Sequence, residues 1–208
     1  MSGTIEFRVL ELLNARLCHE LVSPVGAINN GVELLGEDDP DFVRDAIQLI
    51  GQSARKAGQR LQFYRFAYGT SGSASGIVQG SGRELTEGLF EGGKIRCEWS
   101  AEAVTLPAEW QRLACNMLVL AAEVLPRGGT VAVRSLGAGT SGIEVAAEGE
   151  SVNIAAELRG ALEPGASAEQ LTSRTVHAYF TRHLAELLGA SLMIAETAGA
   201  RAIFRAAA

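Results

Sequence analysis

Leu10, Leu13, Leu17, Leu21, Val25, Ile28, Val32 and Leu35 recur at steps of three or four. That spacing puts them on one stripe of a single long helix. After the acidic turn Gly36-Glu37-Asp38-Asp39-Pro40, a second stripe runs Val43, Ile47, Ile50, Ala54, Ala57, Leu61, Tyr64 in four-three alternation, the seam of a coiled-coil-like helix. The two stripes predict an antiparallel hairpin whose arms are about 40 Å long at about 1.5 Å per residue. A lone hairpin of that size leaves an apolar flank in water, so the pattern predicts a homodimer that closes a four-helix bundle. Ala54 and Ala57 are small enough to let helices approach closely.

The rest of the chain needs a second unit. Residues 69–82, GTSGSASGIVQGSG, hold five glycines and four serines, the composition of a flexible linker. No phosphate-cradling glycine pattern occurs in that stretch. The expected organisation is therefore a helical hairpin over 1–68, a linker over 69–82 and a second domain over 83–208. In that domain a short helix near Arg83 to Phe90 precedes strands Lys94 to Trp99 and Ala103 to Leu106. A helix opened by Pro107 then runs to Leu125 and stops before Gly128-Gly129. A hairpin of Thr130 to Ser135 with Ile143 to Ala147, a helix over about Ser173 to Leu188, and a last hairpin of Ser191 to Glu196 with Ala202 to Arg205 follow. The predicted class is α+β: the hairpin, then helices stacked on one face of a mixed sheet as an α/β sandwich.

Composition removes several functions. Among 208 residues, 18 Lys and Arg stand against 24 Asp and Glu, a net charge of −6, which argues against a nucleic-acid or anionic-membrane surface. Glu6, Arg8 and Glu11 interrupt the N-terminal apolar residues, so export is not expected. The apolar run around Met117 to Leu125 is too short to span a bilayer and holds Glu123. A cytoplasmic protein is expected. Cys18, Cys97 and Cys115 are odd in number and far apart, which suits reduced thiols, and no C-x-x-C pair suggests zinc.

His19 is the most informative residue. It lies about 200° around the helix from Leu17, so it faces solvent in mid-helix. Five residues on, Pro24 lacks an N–H, the carbonyl of Glu20 loses its helical donor, and a bend is expected beside the imidazole.

The run His19-Glu20-Leu21-Val22-Ser23-Pro24 resembles the H-box of histidine kinases, in which the histidine of a dimerisation helix is the phospho-acceptor. The resemblance implies a four-helix bundle displaying His19, with Glu20 polarising the imidazole and Ser23 one turn on. The second domain resembles a kinase ATP-binding domain but departs from it at three places. Leu113 to Ala121 keeps Asn116 yet puts Leu120 where the family's magnesium ligand belongs, and an isobutyl group cannot coordinate a hard cation. Ile143 to Gly149 offers Ala147 in place of the adenine-binding aspartate, and Arg174 to Phe180 replaces the glycine-rich lid. ATP is not expected.

A phospho-acceptor bundle joined to a degenerate kinase-like domain looks like the ChpT-type histidine phosphotransferases of alphaproteobacteria, and Leu171-Thr172-Ser173-Arg174-Thr175-Val176 also looks like that family. The function implied is a phosphorelay intermediate. His19 would accept a phosphoryl group from a receiver domain of a hybrid histidine kinase and pass it to the aspartate of response regulators. Imidazole titrates near about 6.5 when unperturbed, so a ring nitrogen is free to attack phosphorus at neutral pH, and the phosphoramidate formed is itself a donor. The receiver would bring its own Mg²⁺, so no metal site is expected in this chain. With the hairpin centred near Asp38, His19 is level with Gly58, and Arg55, Lys56, Gln59 and Arg60 would surround the phosphoryl site, joined by Arg16 one turn before His19. A divergent kinase and a non-catalytic dimeric adaptor for receiver domains are the alternatives. His177 and His183, six apart, do not share a face and are not expected to bind metal.

Overall fold

The computed structural model describes residues 6–69, 80–137, 142–197 and 200–207, so most of the expected linker lies outside the described residues. Helix α1 spans Phe7–Leu34 and α2 spans Pro40–Tyr68, packed side by side as a hairpin. α2 starts where the sequence signals it: Pro40 occupies the first turn and the Asp39 carboxylate accepts from the Asp41 N–H at 2.9 Å. α1 continues as helix through Pro24. At Gly31 the arms pack tightly: a Cβ there would lie 2.6 Å from Ile50 Cγ1 and 3.3 Å from the Ala46 carbonyl. Ala54 lies on an exposed face and Ala57 is half-buried.

Ser81 then opens α3, Gly82–Phe90, through a capping box with Glu84, and β1, Ile95–Trp99, follows. The predicted strand at Ala103 to Leu106 is instead one helical turn, α4, Ala101–Val104. Ser100 Oγ accepts from the Ala103 N–H at 3.2 Å and Thr105 Oγ1 donates to the Glu102 carbonyl at 2.9 Å, so local side-chain bonds override the β propensity of Val104 and Thr105. Helix α5, Ala108–Glu123, leads into β2, Gly129–Ser135, and β3, Gly142–Gly149. Gly128 and Gly129 adopt φ of +86° and +152°, and a Cβ on Gly129 would sit 2.1 Å from the Glu148 carbonyl. Only glycine fits there.

Helix α6, Ala156–Leu162, was not expected from sequence; its buried Leu158, Ala161 and Leu162 fill one helical stripe. α7 covers Val176–Leu187, starting later than predicted because Thr172 and Thr175 bond each other and the adjacent backbone in a preceding turn. β4, Ser191–Thr197, and β5, Arg201–Ala207, complete a sheet of order β1-β2-β3-β5-β4, in which only β1 and β2 are parallel.

One sheet face packs on α5 and α7 through Val131, Val133, Val145, Ala147 and Phe204. Cross-strand pairs Glu144–Arg205 at 2.6 Å and Glu148–Arg201 at 2.9 Å lie on exposed ground. The same core takes in Val9 and Leu13 of α1, so the first turns of the hairpin are built into the sandwich.

Candidate functional site

His19 and Ser23 are both exposed on α1, one turn apart, with exposed Cys18 beside them. Pro24 is buried on the packed side of the helix. The carbonyl that Pro24 leaves without a helical donor belongs to Glu20, and it accepts a hydrogen bond from Arg60 Nη1 on α2. The same guanidinium lies 3.3 Å from Glu20 Oε2. Arg60 therefore holds both the main chain and the side chain of the residue next to His19.

This contact resets the hairpin register. Glu20 opposite Arg60, and Gly31 against Ala46 and Ile50, put His19 level with Arg60 and Leu61 and not with Gly58. The cause is an asymmetric turn. Leu35, Gly36 and Glu37 keep donating to carbonyls three residues back, so the winding of α1 persists through Glu37 and the chain reverses late.

The expected cationic collar is divided among three places. Arg16 turns towards α5, where Nη2 bonds Glu123 Oε1. Burial pushes the Glu123 carboxyl upward while Arg16 pulls it back, and the same carboxylate keeps the Arg16 guanidinium charged against its own burial. Arg16 and Glu123 border a pocket of about 500 Å³ with Asn153, Thr172, Arg174 and Thr175. Arg55 and Lys56 are exposed and line a separate groove of about 530 Å³ with Gln52 and Glu91. At about 100° per residue, Lys56 is within about 40° of Arg60 whereas Arg55 is about 140° away. Gln59 donates to Glu91.

Two of the positions that depart from the ATP-binding pattern lie in the interior. Leu120 and Ala147 are fully buried and apolar. Asn116 donates from Nδ2 to the Ala67 carbonyl at 3.0 Å and to the Arg112 carbonyl at 2.8 Å. With both donors committed, its Oδ1 accepts from His177 Nε2 at 3.1 Å. Arg112 Nε also donates to Ala67, at 3.1 Å, so two side chains of α5 satisfy the last turn of α2. Tyr68 stacks edge-on against His177 and Phe180. Burial, helped by Arg16, holds the His177 imidazole well below its ordinary range. Burial likewise pushes the Tyr64 phenol up to about 12.

Neither Glu123 nor the Asn116–His177 pair was singled out from sequence as a partner of the hairpin. Glu123 did carry a signal, as an ionisable residue interrupting the apolar run of α5; His177 carried none beyond its place in the replaced lid. Among the described residues, no group of three or more His, Cys, Asp or Glu is placed to hold a metal ion, and no helix is long and apolar enough to cross a membrane.

The hairpin thus displays an exposed histidine beside a sandwich whose interior is apolar. Residues 81–200 match the family described as the histidine phosphotransferase C-terminal domain. The chain is 38% identical over 189 residues to the protein phosphotransferase ChpT of Brucella abortus (strain 2308), covering 90% of each. A solved bacterial phosphotransferase superposes with a TM-score of 0.80 at 34% identity, over 98% of both chains. The chain belongs to the histidine phosphotransferase family. Its activity is that of a protein phosphotransferase acting on histidine.

Proposed function

We propose that His19 is the phosphorylated residue, taking a phosphoryl group from the aspartyl phosphate of a receiver domain and handing it to the aspartate of a response regulator. One observation carries the reading: His19 is an exposed imidazole in the middle of a helix whose backbone is tied down one residue away. A ring nitrogen attacks phosphorus as the bond to the aspartate oxygen breaks, giving a phosphoramidate and a free carboxylate; the second transfer runs the same steps in reverse. The receiver brings Mg²⁺, and this chain brings nucleophile and positioning. ATP has no part in it, since Leu120 and Ala147 offer nothing to a magnesium ion or an adenine amine.

The protein acts as a homodimer in the cytoplasm. Val25 and Val32 on α1 with Ile47 and Leu61 on α2 are all about half exposed or more, at 46%, 53%, 60% and 51%, and form an apolar flank. At about 100° per residue this stripe lies roughly 130° around α1 from His19, so pairing through it leaves the imidazole open to a receiver. Ser23 and Lys56 border the receiver footprint, with Arg55 and Arg16 at its margins.

The test is transfer of labelled phosphoryl from receiver domains charged with a small phosphodonor. Acid-labile label should pass to the wild-type chain and not to His19→Ala, and an ATP-only reaction should stay unlabelled. Label from ATP would restore a kinase; receiver binding without label would leave an adaptor.

A further inference from the structure

We infer that Arg60 is a positioning residue for His19: it substitutes from the second helix for the backbone donor that Pro24 removes from the first. The inference rests on His19 being the phosphorylated residue and assigns a role to a cation otherwise read as a ligand of the phosphoryl group.

The local chemistry is a deficit and its repair. In a helix the N–H of residue 24 would donate to the carbonyl of residue 20, and proline has none. On a solvated helix, water fills such a vacancy and leaves the turn free to flex. Here a guanidinium fills it. Arg60 Nη1 donates to the Glu20 carbonyl, and the same nitrogen stands 3.3 Å from Glu20 Oε2, so main chain and side chain of one residue are held by one guanidinium nitrogen. The Arg60 and Glu20 side chains are 32% and 29% exposed, so both contacts are partly shielded from water. A lysine ammonium ends one bond nearer the backbone than Nη1 and falls short of the position that meets both the Glu20 carbonyl and its carboxylate.

Glu20 is bonded to His19 through the backbone. Fixing its peptide fixes the direction in which His19 leaves the helix and therefore the approach of its ring nitrogen to a receiver's phosphorus. In-line phosphoryl transfer depends on that approach, and a misplacement of about 1 Å can cost roughly a hundredfold in rate. A guanidinium spent on a carbonyl and a carboxylate of its own chain is also poorly placed to grip the transferring group.

The two roles separate in a double-mutant cycle. Arg60→Met, Arg60→Lys, Pro24→Ala and Pro24→Ala/Arg60→Met would be compared with wild type in transfer from a pre-charged receiver. Melting curves would establish that each variant is folded. Pro24→Ala returns an N–H to the Glu20 carbonyl and makes Arg60 redundant. The expected result is that Arg60→Met slows transfer at saturating receiver by about tenfold or more, with little change in half-saturating concentration. Arg60→Lys should fail to rescue, and Arg60→Met should cost less than about threefold in the Pro24→Ala background. An equal loss in both backgrounds, or full rescue by lysine, overturns the inference.

The His19 ring resonances, recorded by NMR without any receiver, give a readout independent of phosphorylation. They should shift in Arg60→Met and return towards the Pro24→Ala spectrum in the double variant; unmoved resonances overturn the inference. Label landing on a residue other than His19 would instead sink the phosphorylation reading while this spectrum still reports on the tie.

Discussion

Asn116 on α5 accepts a hydrogen bond from His177 on α7 across 3.1 Å of solvent-free interior. The His177 Nδ1 on the far side of the ring is buried with no hydrogen-bond partner among the described residues. The ring is therefore neutral in the fold, and burial keeps it so. Its folded pKa lies below the value of about 6.5 that it recovers on unfolding. Above that value both states hold it neutral. As pH falls below it, the unfolded chain binds a proton that the folded chain refuses, and stability declines by up to about 1.4 kcal/mol per pH unit until the folded pKa is reached. Urea unfolding of wild type and His177→Gln between pH 5 and 7.5 checks this: the variant should show the shallower dependence on the acid side.

Distance along the chain explains why that pair was not legible beforehand. Asn116 and His177 are 61 residues apart, and nothing in either local pattern names the other. The hairpin was legible because Leu10 to Leu35 and Val43 to Tyr64 repeat a period that only a helix satisfies. The sheet was legible where apolar alternation met glycine turns, as at Gly128-Gly129 before β2. What misled were side chains competing for backbone: Ser100 and Thr105 wound a predicted strand into α4, and Thr172 with Thr175 delayed α7. The exposed position of His19 could be read from one helix alone, whereas the partner of Glu20 depended on how late the turn at Leu35 to Asp39 reverses. An error of two or three residues there put Gly58 where Arg60 and Leu61 belong.

Arg16 and Glu123 tie α1 to α5 one turn before His19, with side chains 12% and 32% exposed. Removing one charge strands the other in a partly dry site. Glu123→Gln should destabilise the fold by about 1–3 kcal/mol, less than a fully buried pair because Glu123 keeps contact with water. Glu123→Gln/Arg16→Met should recover part of that loss. Chemical denaturation of the three variants measures the coupling.

The apolar flank of the hairpin makes a separate prediction. A carboxylate introduced by Leu61→Glu or Val32→Glu would have to be buried unpaired in a bundle, so each should shift the protein from dimer to monomer in light scattering at micromolar concentration. His19→Ala, on the opposite side of α1, should leave the dimer as it is.

Glu20 is the residue whose carbonyl and carboxylate Arg60 holds. Glu20→Ala keeps the carbonyl contact but loses the carboxylate, so transfer should slow by about tenfold, the equivalent of about 1.4 kcal/mol, while the melting temperature changes little because the pair is partly solvated. Stopped-flow transfer from a charged receiver gives the rate; a wild-type rate would remove the carboxylate from the site.

The site of phosphorylation can be read directly. After exposure to a phosphorylated receiver, the chain would be digested under mildly alkaline conditions that preserve phosphoramidates, and its peptides mapped by mass spectrometry. The phosphoryl group should lie on His19, and discharge when an unphosphorylated response regulator is added before digestion. A phosphoryl group on His183, His177 or any carboxylate, with His19 unmodified, would contradict the assignment of the hairpin histidine as the carrier.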